Sequence, residues 1–251
     1  MRRFPGKTAF VTGAGAGIGR AAAKRFAIEG ANVVVADIRT EAVESVCDEI
    51  RSAGGSAIGI TTDVKDEQSV QQAFAKTKAD FGGLDILFNC AGGSLKNDAP
   101  VTEVDMSVWD FTIGVNLLGT FLCCRSAIPL LIERGGGVIV NTSSWAALSG
   151  TLRKHVYAAA KGGIISLTRA IAGEYSKHQI RANVLCPGSV RTERWKENAT
   201  VQPQLQELAE KYPFSRGEPD EMAAIALFLA SDEARMMTGA VVTADGGRTA
   251  F

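Results

Sequence analysis

Along the chain, short runs of consecutive apolar residues alternate with longer stretches in which apolar positions recur every three to four residues. The short runs predict strands at 7–12 (KTAFVT), 32–37 (NVVVAD), 57–61, 84–89 (LDILFN), 137–142 (GVIVNT), 180–186 and 240–243. The longer stretches predict helices at 18–29, 41–53, 67–80, 106–134, 155–176 and 219–230. In the first of these helices Ile18, Ala22 and Phe26 share one face, and Gly54-Gly55 supplies the glycine that ends the second. Continuous apolar strands, each followed by a helix, imply a mostly parallel sheet of about seven strands with helices on both faces. Right-handed crossovers make it doubly wound. The fold class is therefore α/β, and the expectation is a single domain over 1–251. Residues 187–217 break the alternation. They hold Pro187, Pro203 and Pro213, with a short helical stretch near 204–211, and are expected to form a lid on the substrate side.

Composition narrows the function more than the fold. Lys plus Arg number 27 and Asp plus Glu number 27, so the formal net charge is zero. That balance gives neither nucleic acid nor an anionic membrane an electrostatic reason to bind. The five cysteines include no C-x-x-C pair; free thiols in a reducing cytoplasm are expected, with no disulfide framework and no metal site. No basic-then-apolar leader is recognised. The apolar stretch near 111–124 contains Asn116 and reads as a core helix, not a membrane span.

The first chemical signal follows the first strand. The segment Thr12-Gly13-Ala14-Gly15-Ala16-Gly17-Ile18-Gly19 turns from strand into helix. Glycines there let the backbone turn tightly and approach a diphosphate, and the open N–H groups of a helix start attract it. This is the mark of a Rossmann-type dinucleotide site. Asp37 ends the second strand, where a carboxylate can accept hydrogen bonds from ribose hydroxyls and repel a 2′-phosphate. NAD is thus the expected cofactor, with Arg39 the nearby residue that argues for NADP.

The second signal lies on the 155–176 helix. Tyr157 and Lys161 stand four apart, on one face and one turn from each other, and Ser144 lies just past the fifth strand. A free phenol has a pKa of about 10. An ammonium about 5 Å away at an effective dielectric of ~20 would favour the phenolate by roughly 3 kcal/mol. That direction suits Tyr157 as a general acid/base, with Ser144 holding the substrate oxygen.

Taken together, these residues resemble a short-chain dehydrogenase/reductase of the common 250-residue type. The resemblance runs from Lys7 to about Gly247. The fingerprint T-G-x-x-x-G-x-G falls on Thr12, Gly13, Gly17 and Gly19, the adenine-touching pair on Asp63-Val64, and the Asn-Asn-Ala-Gly stretch on Asn89-Cys90-Ala91-Gly92, with Cys90 in place of the second Asn. The catalytic set falls on Asn116, Ser144, Tyr157 and Lys161, and the nicotinamide-closing segment on Pro187-Gly188, with Val190 and Thr192 as carboxamide contacts. The resemblance implies an alcohol dehydrogenase or ketoreductase. It would bind NAD through Gly13, Gly15, Ala16, Gly17, Ile18, Gly19, Asp37, Ile38, Asp63, Val64, Asn89, Ala91, Gly92, Tyr157, Lys161, Pro187, Gly188, Val190 and Thr192. It implies that Lys161 binds nicotinamide ribose hydroxyls, and that Asn116 holds a water linking Lys161 to solvent. It also implies a homotetramer built on the two long helices, 106–134 and 155–176, plus the last helix and strand. Their apolar residues Ile113, Leu117, Phe121, Ile165 and Leu167 could serve core or interface.

For the substrate, Gly93, Ser94, Ser144, Trp145, Ser189 and Trp195 are wall candidates by their place after strand ends or in the lid. His155 could reach the pocket mouth but is expected on the surface instead, and Arg153, Lys154, Arg191 and Arg194 could meet a carboxylate or remain solvated. Two other readings stand beside the dehydrogenase. One is an NADP(H)-dependent ketoreductase, such as an acyl-carrier ketoreductase; the other is a non-catalytic NAD-binding sensor. A sugar-nucleotide epimerase or dehydratase fits less well, because the glycines are spaced three then one and no long C-terminal substrate domain follows.

Overall fold

The computed structural model describes residues 2–151, 153–193, 195, 214 and 216–250. Seven strands form one sheet: β1 (Thr8–Thr12), β2 (Asn32–Asp37), β3 (Ser56–Thr61), β4 (Ile86–Asn89), β5 (Gly137–Thr142), β6 (Ile180–Pro187) and β7 (Val241–Ala244). Their order is β3-β2-β1-β4-β5-β6-β7 and every pairing is parallel. The helices are α1 (Gly17–Ile28), α2 (Thr40–Ser52), α3 (Glu67–Phe81), α4 (Met106–Ile113), α5 (Gly119–Glu133), α6 (His155–Tyr175) and α7 (Pro219–Ala230). The short helix expected near 204–211 lies outside the described residues.

Strand periodicity explains why both faces are covered. Ala9, Val11, Val33 and Val35 pack with Phe26 of α1, Val46 of α2 and Leu227 of α7. Their neighbours Phe10 and Val34 point the other way and pack with Phe74 of α3, Leu131 of α5 and Ile171 of α6. The Phe10 and Phe74 rings stack with centroids 4.3 Å apart. Burying each such side chain contributes about 1.5–3 kcal/mol, so two full faces hold the sheet.

The chain reverses its winding between β1 and β4, which opens a crevice at the carboxyl ends of the strands. Thr12, Asp37, Asn89, Thr142 and Pro187 all end strands there.

One expected element is corrected. The apolar pattern over 106–134 predicts one helix, but α4 and α5 are separated by a π-helical turn at Gly114–Leu118, in which Gly119 N–H bonds back to Gly114 O. The extra residue in that turn is compensated by side chains: the Asn116 amide donates to Thr112 O at 2.9 Å, and the Thr120 hydroxyl donates to Asn116 O at 2.7 Å. Such bulges cost helix geometry and often occur at functional positions. By length and composition the run Met106–Glu133 could cross a membrane. Half of its apolar window is buried against this protein, so it is a core helix.

Candidate active site

At the cofactor end the backbone sets the geometry. Gly13 has φ +64°, and a Cβ there would meet Ala91 Cα at 2.8 Å. A Cβ on Gly19 would meet Gly13 O at 2.2 Å, so α1 can lie this close to β1 only with glycine at that position. Ala16 is the extended N-cap of α1 and gives it no side-chain cap, and the first turn holds no acidic residue. Those helix-start N–H groups fit a diphosphate. Gly15 N–H donates to Asp37 Oδ2 at 3.0 Å. Asp37, almost fully buried, also accepts from Arg39 N at 3.1 Å and from Arg39 Nε at 3.2 Å. Ile38 beside it is 61% exposed.

The remaining cofactor candidates divide by where their side chains go. Val64 is buried against Gly119, and Asp63 Oδ1 accepts from Lys65 N at 2.9 Å. Asn89 turns inward: its amide donates to Asn141 Oδ1 at 2.8 Å and lies 3.4 Å from Cys124 Sγ. Asn89 ends β4, and its side chain is buried beside Asn141 and Cys124. The turn after it is held by Thr12, whose hydroxyl accepts from both Cys90 N and Ala91 N at 3.0 Å. Ile18, Gly92, Pro187, Gly188, Val190 and Thr192 line one cleft of about 490 Å³. Thr192 packs over α1, 2.9 Å from where a Gly17 Cβ would sit. Gly188 lies so close to Asp245 that a Cβ would meet its Cα at 2.6 Å.

The same cleft is lined by Ser144, Tyr157 and Lys161. Lys161 is buried, and its ammonium lies 5.7 Å from the Tyr157 ring centroid and donates to Thr142 O at 2.8 Å. Burial pushes its pKa down to about 8, opposed by the neighbouring Cys90 and Cys186 thiols. Ser144 caps the short turn Trp145–Ala147, accepting from Ala146 N at 3.2 Å, which leaves its O–H as a donor. Asn116 is fully buried and spends its amide on Gly93: Nδ2 donates to Gly93 O at 2.9 Å and Oδ1 accepts from Gly93 N at 3.0 Å. A Cβ on Gly92 would be 2.5 Å from Asn116 Oδ1 and 3.2 Å from Lys161 Nζ. The π turn therefore brings Asn116 to the lysine's side of the cleft.

Two positioning contacts escaped sequence reasoning. Asp98, buried in the loop after β4, accepts from Val156 N at 3.3 Å and Tyr157 N at 2.9 Å. It caps α6 in place of Lys154, which makes no side-chain cap. A helix start without Ser, Thr, Asp or Asn signals that an outside acceptor is needed, but not which one. Ser143 Oγ donates to Lys161 O at 2.8 Å and ties β5 to α6.

All six substrate-wall candidates, Gly93, Ser94, Ser144, Trp145, Ser189 and Trp195, line the cleft. Of the described cations among the four offered for a carboxylate, Lys154 lines it. Arg153 lies 4.0 Å from Glu103, Arg191 pairs with Glu218 at 2.7 Å, and Arg194 is outside the described residues. His155 is exposed, and its Nδ1 accepts from Val101 N at 3.0 Å, fastening the loop instead of facing the cleft. Arg248, which the sequence reading did not select, does line it.

A seven-stranded parallel sheet with a glycine turn at its switch point and a Ser/Tyr/Lys group at the strand ends defines a dinucleotide-dependent oxidoreductase. The family model described as enoyl-(acyl carrier protein) reductase matches residues 13–249. The chain is 42% identical over 257 residues to a 2,5-dichloro-2,5-cyclohexadiene-1,4-diol dehydrogenase of Sphingobium indicum, with all of both chains covered. It is 40% identical over 249 residues to a D-threitol dehydrogenase of Mycolicibacterium smegmatis, covering 98% of this chain and 94% of the other. The solved structure of a 7α-hydroxysteroid dehydrogenase, complexed with NADH and 7-oxo glycochenodeoxycholic acid, superposes with a TM-score of 0.92. It is 34% identical and covers 98% of this chain and 95% of that one. The chain belongs to the short-chain dehydrogenase/reductase family. It is an oxidoreductase of the alcohol dehydrogenase and ketoreductase kind, and its family binds a nicotinamide cofactor.

Proposed function

We propose that the chain is an NAD(H)-dependent dehydrogenase that interconverts a secondary alcohol and its ketone, with Tyr157 as general acid/base. The observation that carries this is the Lys161 ammonium, buried and 5.7 Å from the Tyr157 ring, in the cleft that Ser144 also lines. When bound, the nicotinamide supplies or accepts the hydride. In alcohol oxidation the Tyr157 phenolate takes the hydroxyl proton; in reduction the phenol gives it back. Ser144 donates its hydrogen bond to the substrate oxygen and orients it. The Lys161 charge favours the phenolate and would hold ribose hydroxyls. Asn116 closes the Gly93 turn with its amide. A water beside Asn116 would link Lys161 to solvent.

NAD is favoured by the Asp37 carboxylate, which lies where a 2′-phosphate would come and is held there by Gly15 N–H. The related hydroxysteroid dehydrogenase is complexed with NADH. Arg39 answers with one charge, but its Nε is engaged with Asp37 itself. The chain works as one domain; of the expected lid, Ser189, Val190, Thr192 and Trp195 line the cleft, and residues 196–213 lie outside the described residues. Phe111, Leu118 and Phe121 remain exposed on the α4–α5 run, while Ile165 is buried in the core. That exposed apolar face suits assembly into the expected homotetramer, and a cytoplasmic setting suits the free thiols.

Absorbance at 340 nm, followed over a panel of secondary alcohols and ketones with NAD(H) and NADP(H), tests this reading. Turnover with an efficiency clearly higher for NAD(H) is expected. Equal efficiency with both cofactors would remove the Asp37 argument. NADH binding without turnover across the panel would favour a sensor.

A further inference from the structure

Ser144, Tyr157 and Lys161 account for the proton chemistry, but two large side chains of the cleft, Trp145 and Trp195, take no part in it. Both are half-buried. Trp145 follows Ser144 directly and opens the short turn Trp145–Ala147 that Ser144 caps. One turn thus places both the hydroxyl that holds the substrate oxygen and the indole next to it. Trp195 comes from the segment after β6. Its main-chain N–H donates to Thr192 Oγ1 at 3.2 Å, and Thr192 packs beside Gly17 of the glycine turn. The second indole is therefore placed by a residue that also touches the cofactor end. Each indole has a guanidinium against its ring. The guanidinium carbon of Arg248 lies 3.4 Å from the Trp145 centroid, and that of Arg216 lies 4.6 Å from the Trp195 centroid. These cation–π contacts hold both rings before any ligand arrives. Around them the cleft is lined by Gly93, Ser94, Ala146, Ser149 and Gly150, which add little side-chain bulk. A rigid ring lies against a flat indole over many atoms at once and gives up no internal rotation in doing so. An open chain of equal carbon number must freeze its rotors to make the same contact. Two pre-set indoles in a cleft of about 490 Å³ select for a ring.

We propose that the substrate is a cyclic alcohol and the product its cyclic ketone, with Trp145 and Trp195 as the specificity-determining side chains that hold the ring. This deepens the oxidoreductase reading and rests on it. Because Trp145 adjoins the group that holds the substrate oxygen, the carbinol carbon is itself a ring member. In oxidation its C–H bond breaks with the electron pair passing to the nicotinamide as hydride, the hydroxyl proton goes to Tyr157, and the ring stays closed.

Matched ketones of equal carbon number test the ring alone. Cyclohexanone is compared with methyl butyl ketone, and β-tetralone with its ring-opened counterpart benzylacetone, by kcat/KM for NADH oxidation. The cyclic member should be favoured by at least about 10-fold in one of the two pairings. That ratio should fall toward one in Trp145→Leu and in Trp195→Leu with NADH affinity unchanged, and Trp145→Phe, which keeps a flat face, should restore most of it. Open-chain probes serving as well as cyclic ones in both pairings would overturn the proposal while leaving the oxidoreductase reading intact. A cyclic preference that survives in both leucine variants would overturn the role of the two indoles. If no probe turns over, titration calorimetry on the NADH-loaded protein decides. Selective binding of the cyclic members, lost in Trp145→Leu, would sustain the ring site and count against the redox reading. Equal binding, or none, would overturn the ring site.

Discussion

The two ends of the cleft are built by opposite means. The cofactor end is made of main chain: glycines packed against backbone, a helix start without a side-chain cap, and a threonine hydroxyl holding two amides. The substrate end is made of side chains that distant segments bring together, with Trp145 from the β5 turn, Lys154 from the α6 entrance and Arg248 from the tail. A backbone site tolerates few residues because sterics dictate them. A side-chain wall can be rewritten without disturbing the sheet, which suits one scaffold to many substrates.

The largest effect that would break this contrast is at Gly19. Gly19→Ala places a methyl against Gly13 O, where only 2.2 Å is available. Overpacking of this kind costs about 1–3 kcal/mol, and more against backbone. NADH affinity, measured by fluorescence titration, should fall about 100-fold with a lowered melting temperature; wild-type affinity would show that the turn adapts. Next is Asp37→Ser, which removes the carboxylate from Gly15 N–H. The NADP(H)-to-NAD(H) ratio of kcat/KM should rise about 10-fold, the equivalent of about 1.4 kcal/mol, and an unchanged ratio would detach Asp37 from cofactor choice. At the chemistry between the two ends, Asp98→Ala uncaps α6. A lost cap costs about 1–2 kcal/mol in denaturant unfolding. kcat should drop more than KM changes, and Asp98→Asn should restore most of both. A stability loss with unaltered kcat would make Asp98 structural only.

The smallest effect lies far from the chemistry, where Glu49 ties α2 to Arg20 and Lys24 of α1. Those two partners hold its pKa down to about 2 from 4.5. The stabilisation is therefore present above about pH 4.5 and is lost as pH falls through about 2. Because the pair is partly exposed, Glu49→Gln should cost no more than about 1 kcal/mol at pH 7, with the difference gone near pH 2. A difference that persists at pH 2 would point to packing instead of charge.

The same contrast explains what could be read from sequence. The strands and the glycine turn were legible because continuous apolar runs and backbone sterics act locally, as at Val33 to Val35 or Gly13 to Gly19. Tyr157 and Lys161 were legible because one helical turn fixes their relation. The π turn at Asn116 was not, since the apolar period runs through it unbroken and the compensation comes from Thr112, Thr120 and Gly93. Asp98 and Arg248 were hidden for a related reason. Each acts across a long sequence separation, on Tyr157 N and on the Trp145 ring, and neither stands in a local pattern that marks it.

The central claim is that the Tyr157 phenol carries the proton. Tyr157→Phe removes one oxygen and leaves the ring beside Lys161. Its single-turnover hydride transfer, measured at 340 nm alongside NADH binding by fluorescence, should slow by about 100- to 10,000-fold with the affinity unchanged, the range set by loss of a general acid/base. Hydride transfer in that variant at close to the wild-type rate would contradict the account.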